Sequence, residues 1–182
     1  IGPYPYKKLA NVQSTTVFGA LENASAIFYN ENSVTGNGNT EPLMAHEIAH
    51  QWFGNMATEK EWAHVWLSEG FATYMTILYM ENRNGKEMAN SLLIDNRALT
   101  INFSKRRRIP VVDSSVTDFR ELLNPNSYQK GGWVLHMLRS QVGDSVFWKS
   151  IRVYYARYAG KNASTEDFQK VVEEVSGVDF SL

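Results

Sequence analysis

The sequence predicts an α+β domain in which a small mixed sheet comes first and a mainly helical lobe follows. Residues 1–35 are rich in proline, tyrosine, valine, threonine and phenylalanine, a composition that favours strands and loops. Later in the chain the apolar spacing is almost entirely helical, and glycines or prolines separate the segments. We therefore predict a single domain over 1–182, with a sheet part at 1–40 and a helical part at 41–182.

Each element of this fold has its own signal in the sequence. Thr15–Phe18 and Ala26–Tyr29 are predicted strands because β-branched and aromatic residues dominate them. The stretch 35–40 is rich in glycine and asparagine and predicts a loop. It ends at Thr40, which a glutamate and Pro42 follow in a typical helix start. The predicted helices are 41–55, 68–83, 86–104, 126–142, 144–159 and 165–176.

Composition and charge narrow the classes of protein to which the chain can belong. Its 182 residues are enough for a real core, and the formal net charge of −1 argues against nucleic acid or an anionic membrane as partner. The absence of cysteine excludes disulfides and cysteine zinc ligands. No apolar run reaches the roughly 18 residues of a membrane span. We expect a soluble domain cut from a longer polypeptide, and the compartment, cytoplasmic or exported, stays open.

The densest chemistry in the chain lies at His46-Glu47-Ile48-Ala49-His50. His46 and His50 are four residues apart, so both imidazoles lie on one face of a helix and can reach a single zinc ion. Glu47 lies about 100° round the helix, where it can take a proton from zinc-bound water. Glu69, near the start of the next helix, is the candidate third ligand. By itself, Glu69 fits a solvated acid at a helix start equally well.

The helix predicted over 41–55 is apolar on all sides, which indicates a buried helix. Its polar residues therefore need partners in a medium of low dielectric, and a metal ion would provide one. The other two histidines, His64 and His136, have no ligand spacing. We expect them to pack or to form ordinary hydrogen bonds.

Three motifs in order resemble the zinc aminopeptidases related to aminopeptidase N and leukotriene hydrolase. In that family eighteen residues separate the His-Glu-x-x-His helix from a glutamate in the context Asn-Glu-Gly-Phe-Ala. Here residues 51–68 make eighteen, and Ser68–Ala72 reads Ser-Glu-Gly-Phe-Ala. Gly19–Asn23 is similar to the upstream Gly-x-Met-Glu-Asn strand, and Tyr128–Gly131 to a later Tyr-x-Lys-Gly. The resemblance covers 19–131 and its motifs are highly specific.

The resemblance implies a thermolysin-like zincin catalytic domain of the gluzincin type that binds one Zn²⁺ per chain. It implies an aminopeptidase that hydrolyses the N-terminal peptide bond of peptides by attack of zinc-bound water. Glu22 would hold the substrate's α-ammonium group, and Gly19 and Ala20 would let the substrate backbone lie along their strand. Tyr128 would donate its hydroxyl to the oxyanion. The implied zinc ligands and base are His46, His50, Glu69 and Glu47.

The chain departs from the family pattern at two positions. Leu21 stands where the family usually has methionine, a nearly volume-conserving change. His64 stands where relatives often have an acid. Full-length relatives also carry a preceding β-rich domain and a following helical domain, and we expect both to be missing here.

Rival functions remain open at this point. A zinc endopeptidase would use the same metal core without recognising a free N-terminus. Epoxide opening occurs within the family, although nothing in this sequence points to it. A non-catalytic interaction module would lack the ligands or the base, which are present here. A domain that binds zinc yet turns over nothing without its neighbours is a further interpretation.

Overall fold

The N-terminal part of the protein is a three-stranded mixed sheet. The structure is a computed structural model, which describes residues 1–36 and 40–180. Across the sheet the strands are β1 (Ala10–Ser14), β3 (Ala26–Asn30) and β2 (Ala20–Leu21). β1 is parallel to β3 with Ala10 opposite Ala26, whereas β2 is antiparallel with Leu21 opposite Phe28. The predicted α+β class with a small mixed sheet is confirmed.

The strand predicted at Thr15–Phe18 is wrong. Val17 is 91% exposed and Phe18 42% exposed, so these residues have a high β propensity but no sheet to pack against. The strand β1 lies just before them, and its residues alternate between half-buried and exposed. The second predicted strand is confirmed and extends to Asn30. The loop predicted at 35–40 lies partly outside the described residues.

A helical lobe follows, as the sequence predicts. The described part of the chain contains α1 (Glu41–Ala49), α2 (Trp66–Asn84), α3 (Lys86–Arg106), α4 (Gly131–Val142), α5 (Asp144–Tyr158) and α6 (Thr165–Ser176). The first helix ends at Ala49 rather than at 55, and a turn follows in which the backbone N–H groups of Gln51 and Trp52 donate to carbonyls three residues back. Gly54, whose φ is +119°, then redirects the chain. The start of the helix predicted over 126–142 is a π-helical turn, Asn126–Lys130. None of these described helices has the length and apolarity to cross a bilayer.

Two short strands were not predicted. β4 (Ala57–Glu59) and β5 (Lys161–Ala163) form a parallel pair, with Glu59 opposite Ala163. Each strand has three residues, so neither shows a periodic pattern in the sequence. Their pairing ties the segment between α1 and α2 to the far end of the chain.

The helix α2 lies at the centre of the lobe, in contact with α1, α3 and α4. An aromatic cluster packs around its first turns. The rings of Phe53 and Phe71 stack with centroids 4.5 Å apart, and Phe168 meets Phe71 edge-on at 5.2 Å. All three side chains are buried. This packing fixes the start of α2, where Glu69 lies, against the end of α1.

The start and the burial of α1 differ in part from the prediction. Thr40 occupies the N-cap position and Pro42 the first turn, but the Thr40 hydroxyl donates to the carbonyl of Ser33 at 2.6 Å instead of capping the helix. Met44 is 37% exposed, because the outer face of α1 lines a cavity of about 960 Å³. Complete burial of this helix is therefore wrong, although Glu47 is buried.

A close helix contact leads to a first prediction about stability. A Cβ on Gly70 of α2 would lie 2.8 Å from Cα of Gly131 and 3.2 Å from the backbone oxygen of Ser127. Backbone cannot move aside as a side chain can, so Gly70→Ala should lower the free energy of unfolding by about 1–3 kcal/mol. Denaturant unfolding followed by circular dichroism measures this change.

The matched control for that prediction is Gly132→Ala in the facing helix α4. There the nearest atom to a new Cβ is the Thr73 methyl carbon, at 3.2 Å, and it belongs to a side chain. The higher helix propensity of alanine, about 1 kcal/mol, should offset this contact. Equal stability losses in the two variants would contradict the interpretation.

Candidate metal centre and active-site cleft

Two helices bring three ligand atoms together. His46 lies in α1 and His50 is its C-cap residue, and their Nε2 atoms lie 3.1 Å apart. Glu69 lies in the first turn of α2, with its Oε2 at 3.2 Å from Nε2 of His46 and 3.3 Å from Nε2 of His50. His50 and Glu69 are buried, and His46 is half-buried.

The spacing of these atoms fits a metal ion in tetrahedral coordination. The corners of a regular tetrahedron are separated by about 1.6 times the distance from centre to corner. Three atoms separated by 3.1–3.3 Å therefore leave room for a centre roughly 2.0 Å from each. Two imidazole nitrogens and one carboxylate oxygen are ligands that zinc prefers, and three protein ligands leave a fourth position open. The donor set and its spacing fit a catalytic metal ion.

Hydrogen bonding fixes the orientation of the His50 ring. Its Nδ1 lies 3.0 Å from the carbonyl oxygen of Phe53, so Nδ1 carries the proton and donates it. The lone pair of Nε2 then faces the Glu69 carboxylate, and two electron-rich atoms in contact require a proton or a cation between them. A backbone carbonyl behind a ligating histidine is the usual means of setting its tautomer.

The pKa shifts of the three groups follow from this contact. Burial by itself would lower the pKa of His50, but the Glu69 carboxylate outweighs it and raises that pKa to about 9. Burial would raise the pKa of Glu69, but the two histidines hold it far below its usual value. The pKa of His46 is lowered, mainly by burial. The opposite shifts of His50 and Glu69 show that their contact favours a positive charge between them, which a bound metal cation would supply.

Glu47 lies beside this centre as a buried carboxylate. Its burial raises its pKa to about 7, and the charges of Glu22 and Glu69 add to the rise while His50 opposes it. A carboxylate with a pKa near neutrality can accept a proton and return it at physiological pH. This property suits the role of base that its position in the motif predicts.

Tyr128 approaches the centre from the other wall of the cleft. It lies on the π-helical turn Asn126–Lys130, and its ring stacks on that of His46 with centroids 6.0 Å apart. Burial, followed by the charge of Glu69, raises the pKa of its hydroxyl above the usual value. The hydroxyl therefore stays protonated and can donate a hydrogen bond.

Glu22 follows strand β2, and two side chains from the turn after α1 hold its backbone. Gln51 Nε2 donates to the carbonyl of Glu22 at 3.0 Å, and Asn55 Nδ2 donates to the same oxygen at 2.7 Å. The backbone N–H of Ser25 donates to Gln51 Oε1 at 2.8 Å. These contacts fix the strand that carries Glu22 relative to the metal centre.

Sequence reasoning missed Gln51 and Asn55 as residues that position Glu22. Gln51 is 0% exposed, and a buried polar residue in an apolar helix was the available signal. The expectation that a metal ion satisfies the polar residues of this helix is therefore wrong for Gln51. The backbone of the neighbouring strand segment satisfies it instead.

All the predicted site residues line one cleft of about 760 Å³. They are Gly19, Ala20, Glu22, His46, Glu47, His50, Glu69 and Tyr128. The larger cavity of about 960 Å³ lies on the other side of α1, and none of these residues lines it. The smaller cleft is the better candidate site, since it holds the metal-ligand atoms. The roles of the residues stay predictions.

The other two histidines have the ordinary roles expected of them. The backbone N–H of Thr165 donates to Nδ1 of His64 at 3.2 Å, and the Thr165 hydroxyl lies 2.9 Å from the same atom. The indole N–H of Trp66 donates to that hydroxyl at 2.8 Å. His136 lies against Tyr74, with its Nδ1 at 3.3 Å from the hydroxyl. The histidine at position 64 thus connects the start of α2 to α6.

Comparison with known families agrees with the geometry of the site. Residues 1–181 match the family described as the Peptidase family M1 domain. The chain belongs to this family. Aminopeptidase M1-C of Oryza sativa subsp. japonica is 34% identical over 188 aligned residues, which cover 96% of this chain. Among the curated relatives, the probable aminopeptidase 2 of Sulfurisphaera tokodaii is 32% identical and covers 88% of the chain.

Solved structures of family members share the fold. An M1 zinc metallopeptidase variant from Deinococcus radiodurans, bound to a Tyr-Ser-Ala substrate, is 30% identical and superposes with a TM-score of 0.82 over 97% of this chain. Leukotriene A4 hydrolase from Saccharomyces cerevisiae gives a TM-score of 0.88 over 96% of the chain at 22% identity, a likeness of fold. The chain spans 21% of the rice protein, 38% of the bacterial structure and 29% of the yeast structure.

Proposed function

We propose that this chain is the catalytic domain of a zinc-dependent aminopeptidase, which hydrolyses the first peptide bond of peptides that have a free N-terminus. The observation that carries the proposal is the cleft itself. The ligand atoms of His46, His50 and Glu69 have tetrahedral spacing there, and the buried base Glu47 and the acid Glu22 line the same space. Membership of peptidase family M1 supports the reaction class.

Zinc is the metal that best fits the three ligands. Two imidazoles with one carboxylate form a set typical of catalytic zinc, and the solved bacterial relative is named a zinc metallopeptidase. When bound, zinc supplies a Lewis acid that lowers the pKa of water to about 7 and polarises the substrate carbonyl.

Glu47 would perform the proton transfers. It takes a proton from the attacking water and delivers it to the nitrogen of the departing amine. Its raised pKa of about 7 lets both transfers occur near neutral pH. The tyrosine hydroxyl of Tyr128 would donate a hydrogen bond to the oxygen on which negative charge develops. That hydroxyl is fit for the role because it remains protonated.

Glu22 would bind the substrate's α-ammonium group. Its backbone is held by Gln51 and Asn55, so the carboxylate has a fixed origin relative to the ligands on α1. Gly19 and Ala20 have little or no side chain, which leaves space for the substrate backbone along β2. An ion pair with a free amine would restrict cleavage to the end of a peptide. The solved relative with a bound Tyr-Ser-Ala peptide supports a peptide substrate.

The domain organisation is part of the proposal. We infer that residues 1–182 form one catalytic domain of a longer protein, since the rice relative is about five times as long as the matched region. The flanking domains would complete the walls of the cleft. The activity assays therefore use a parent protein that contains this chain.

A paired assay tests the proposal. Aminoacyl anilides and their N-acetylated counterparts are incubated with the parent protein, and its zinc content is measured by elemental analysis. We expect one zinc per chain and cleavage of the free-amine substrates alone. Equal cleavage of acetylated substrates, or of internal bonds in long peptides, would indicate an endopeptidase. If protein purified without chelators contained no zinc, both the aminopeptidase and the endopeptidase hypotheses would be contradicted.

A further inference from the structure

The cleft is lined by a carboxylate that the proposed reaction does not use. Glu22, Glu47 and Glu69 have roles in the proposal, and Glu59 at the end of β4 is a fourth acid among the lining residues. The Glu59 carboxylate accepts a hydrogen bond from the hydroxyl of Ser68.

Ser68 lies directly behind the metal ligands. It precedes Glu69 in the first turn of α2 and is 5% exposed. A Cβ built on Gly54 would lie 3.3 Å from the Ser68 hydroxyl oxygen and 3.0 Å from Nδ1 of His50. The serine hydroxyl and the back of the His50 ring thus border the same small space. A shift of Ser68 would move Glu69 directly and would disturb the packing behind His50.

The backbone of Glu59 is held by the neighbouring strand β5. Glu59 pairs with Ala163 in the β4–β5 ladder, and Nδ2 of Asn162 donates to the Glu59 carbonyl at 3.1 Å. The backbone N–H of Lys60 donates to the carbonyl of Ala163 at 2.8 Å. Because this strand holds the Glu59 backbone in place, the Glu59 carboxylate can accept the hydrogen bond of the Ser68 hydroxyl at a fixed position.

The electrostatic setting favours a cation near this carboxylate. Burial raises the pKa of Glu59, and the hydrogen bond from Ser68 opposes the rise. Four carboxylates line the cleft, and a buried acid is costly unless hydrogen bonds or positive charge compensate it. A divalent ion at the three ligand atoms would supply that charge.

We propose that Glu59 is a positioning residue of the metal centre, which acts through Ser68 to fix the turn of α2 that presents Glu69. The inference rests on the proposed function in one respect, that His46, His50 and Glu69 hold the metal. Direct hydrogen-bond partners of metal ligands typically change metal affinity 10- to 100-fold when they are removed. Glu59 acts one residue further away, through Ser68, so we expect the lower end of that range.

A double-mutant cycle on metal affinity tests the inference. The zinc dissociation constant is measured by competition with a chromophoric chelator for the parent, Glu59→Ala, Ser68→Ala and the double variant. Each single change should weaken zinc binding about 10-fold, and the double variant should be no weaker than the weaker single variant. The visible spectrum of the cobalt-substituted protein should shift in both single variants, because it reports ligand geometry. Glu61→Ala, which removes an exposed acid two residues away, is the matched control.

The conservative variant Glu59→Gln separates positioning from charge. It keeps an oxygen that can accept from Ser68, so it should restore the parent's cobalt spectrum and most of the zinc affinity. A glutamine variant that behaves like Glu59→Ala would overturn the inference, as would losses that multiply in the double variant. A cooperative unfolding transition of each metal-free protein is the control for folding. If Glu59→Ala does not fold, the comparison of Glu59→Gln with Ser68→Ala tests the inference instead. If the parent protein binds zinc and the Glu59 variants bind it equally tightly, this inference alone is contradicted. If the parent protein binds no zinc, the proposed function is contradicted.

Discussion

Glu47→Gln is expected to lower kcat on aminoacyl anilides by about 10²–10⁴-fold, the usual contribution of a general base. Glutamine has nearly the same shape but cannot accept a proton at neutral pH. Because Glu47 is not one of the three residues whose ligand atoms lie together, the zinc content should remain at one per chain. Steady-state kinetics and elemental analysis on the same preparation measure both quantities.

The matched control for this variant is Glu41→Gln in the same helix. Glu41 lines the cavity on the other side of α1, where it accepts a hydrogen bond from the Tyr79 hydroxyl at 2.7 Å. Its loss should leave kcat within about twofold, the usual range for a change far from the reacting atoms. If Glu47→Gln lost zinc together with activity, Glu47 would be a structural acid and the assigned base would be wrong.

Glu22→Ala is expected to lower kcat/KM for aminoacyl anilides by roughly 10²–10³-fold. Removal of one partner of a close ion pair costs about 2–5 kcal/mol, and here it would leave the substrate's ammonium group without its counter-charge. The zinc content should not change, since Glu22 lies on the strand wall and not among the grouped ligands. Initial rates over a range of substrate concentrations give the change in kcat/KM.

An exposed acid on the same segment provides the comparison for Glu22. Glu31→Ala removes a charge from the short turn after β3 and should leave kcat/KM nearly unchanged. Glu22→Ala should not change any weak cleavage of an N-acetylated substrate, because that substrate has no ammonium group. A parallel loss on free and acetylated substrates would show that Glu22 supports the structure of the cleft rather than binding the amine.

The metal-binding group could be predicted because its geometry is local. A helix places residues four apart on one face whatever surrounds it, so His46 and His50 needed no tertiary information. Glu69 was predicted as the third ligand from its spacing within a family resemblance, since an isolated acid at a helix start has other uses. The predicted role of Glu22 likewise came from the resemblance, and the structure adds that Gln51 and Asn55 hold its backbone.

The parts that escaped prediction depend on distant partners. β4 and β5 have three residues each and pair across about a hundred residues of sequence, so neither strand can be predicted from a short stretch of the sequence. Thr15–Phe18 has the composition of a strand yet lies in solvent, whereas the less apolar β1 is selected by pairing with β3. After α1 ends at Ala49, the following turn is held by distant contacts, since Gln51 and Asn55 both donate to the carbonyl of Glu22, 29 and 33 positions away.

The contact between His64 and Thr165 has a consequence for the order of events during synthesis. The two residues are 101 positions apart, and the contact joins the segment before α2 to the start of α6. At about 5–20 residues per second, a ribosome needs roughly 5–20 s to add that length of chain. The histidine pair therefore emerges long before the elements that steady Glu69. We expect the nascent chain to acquire its metal late, once the segment containing Thr165 has left the exit tunnel.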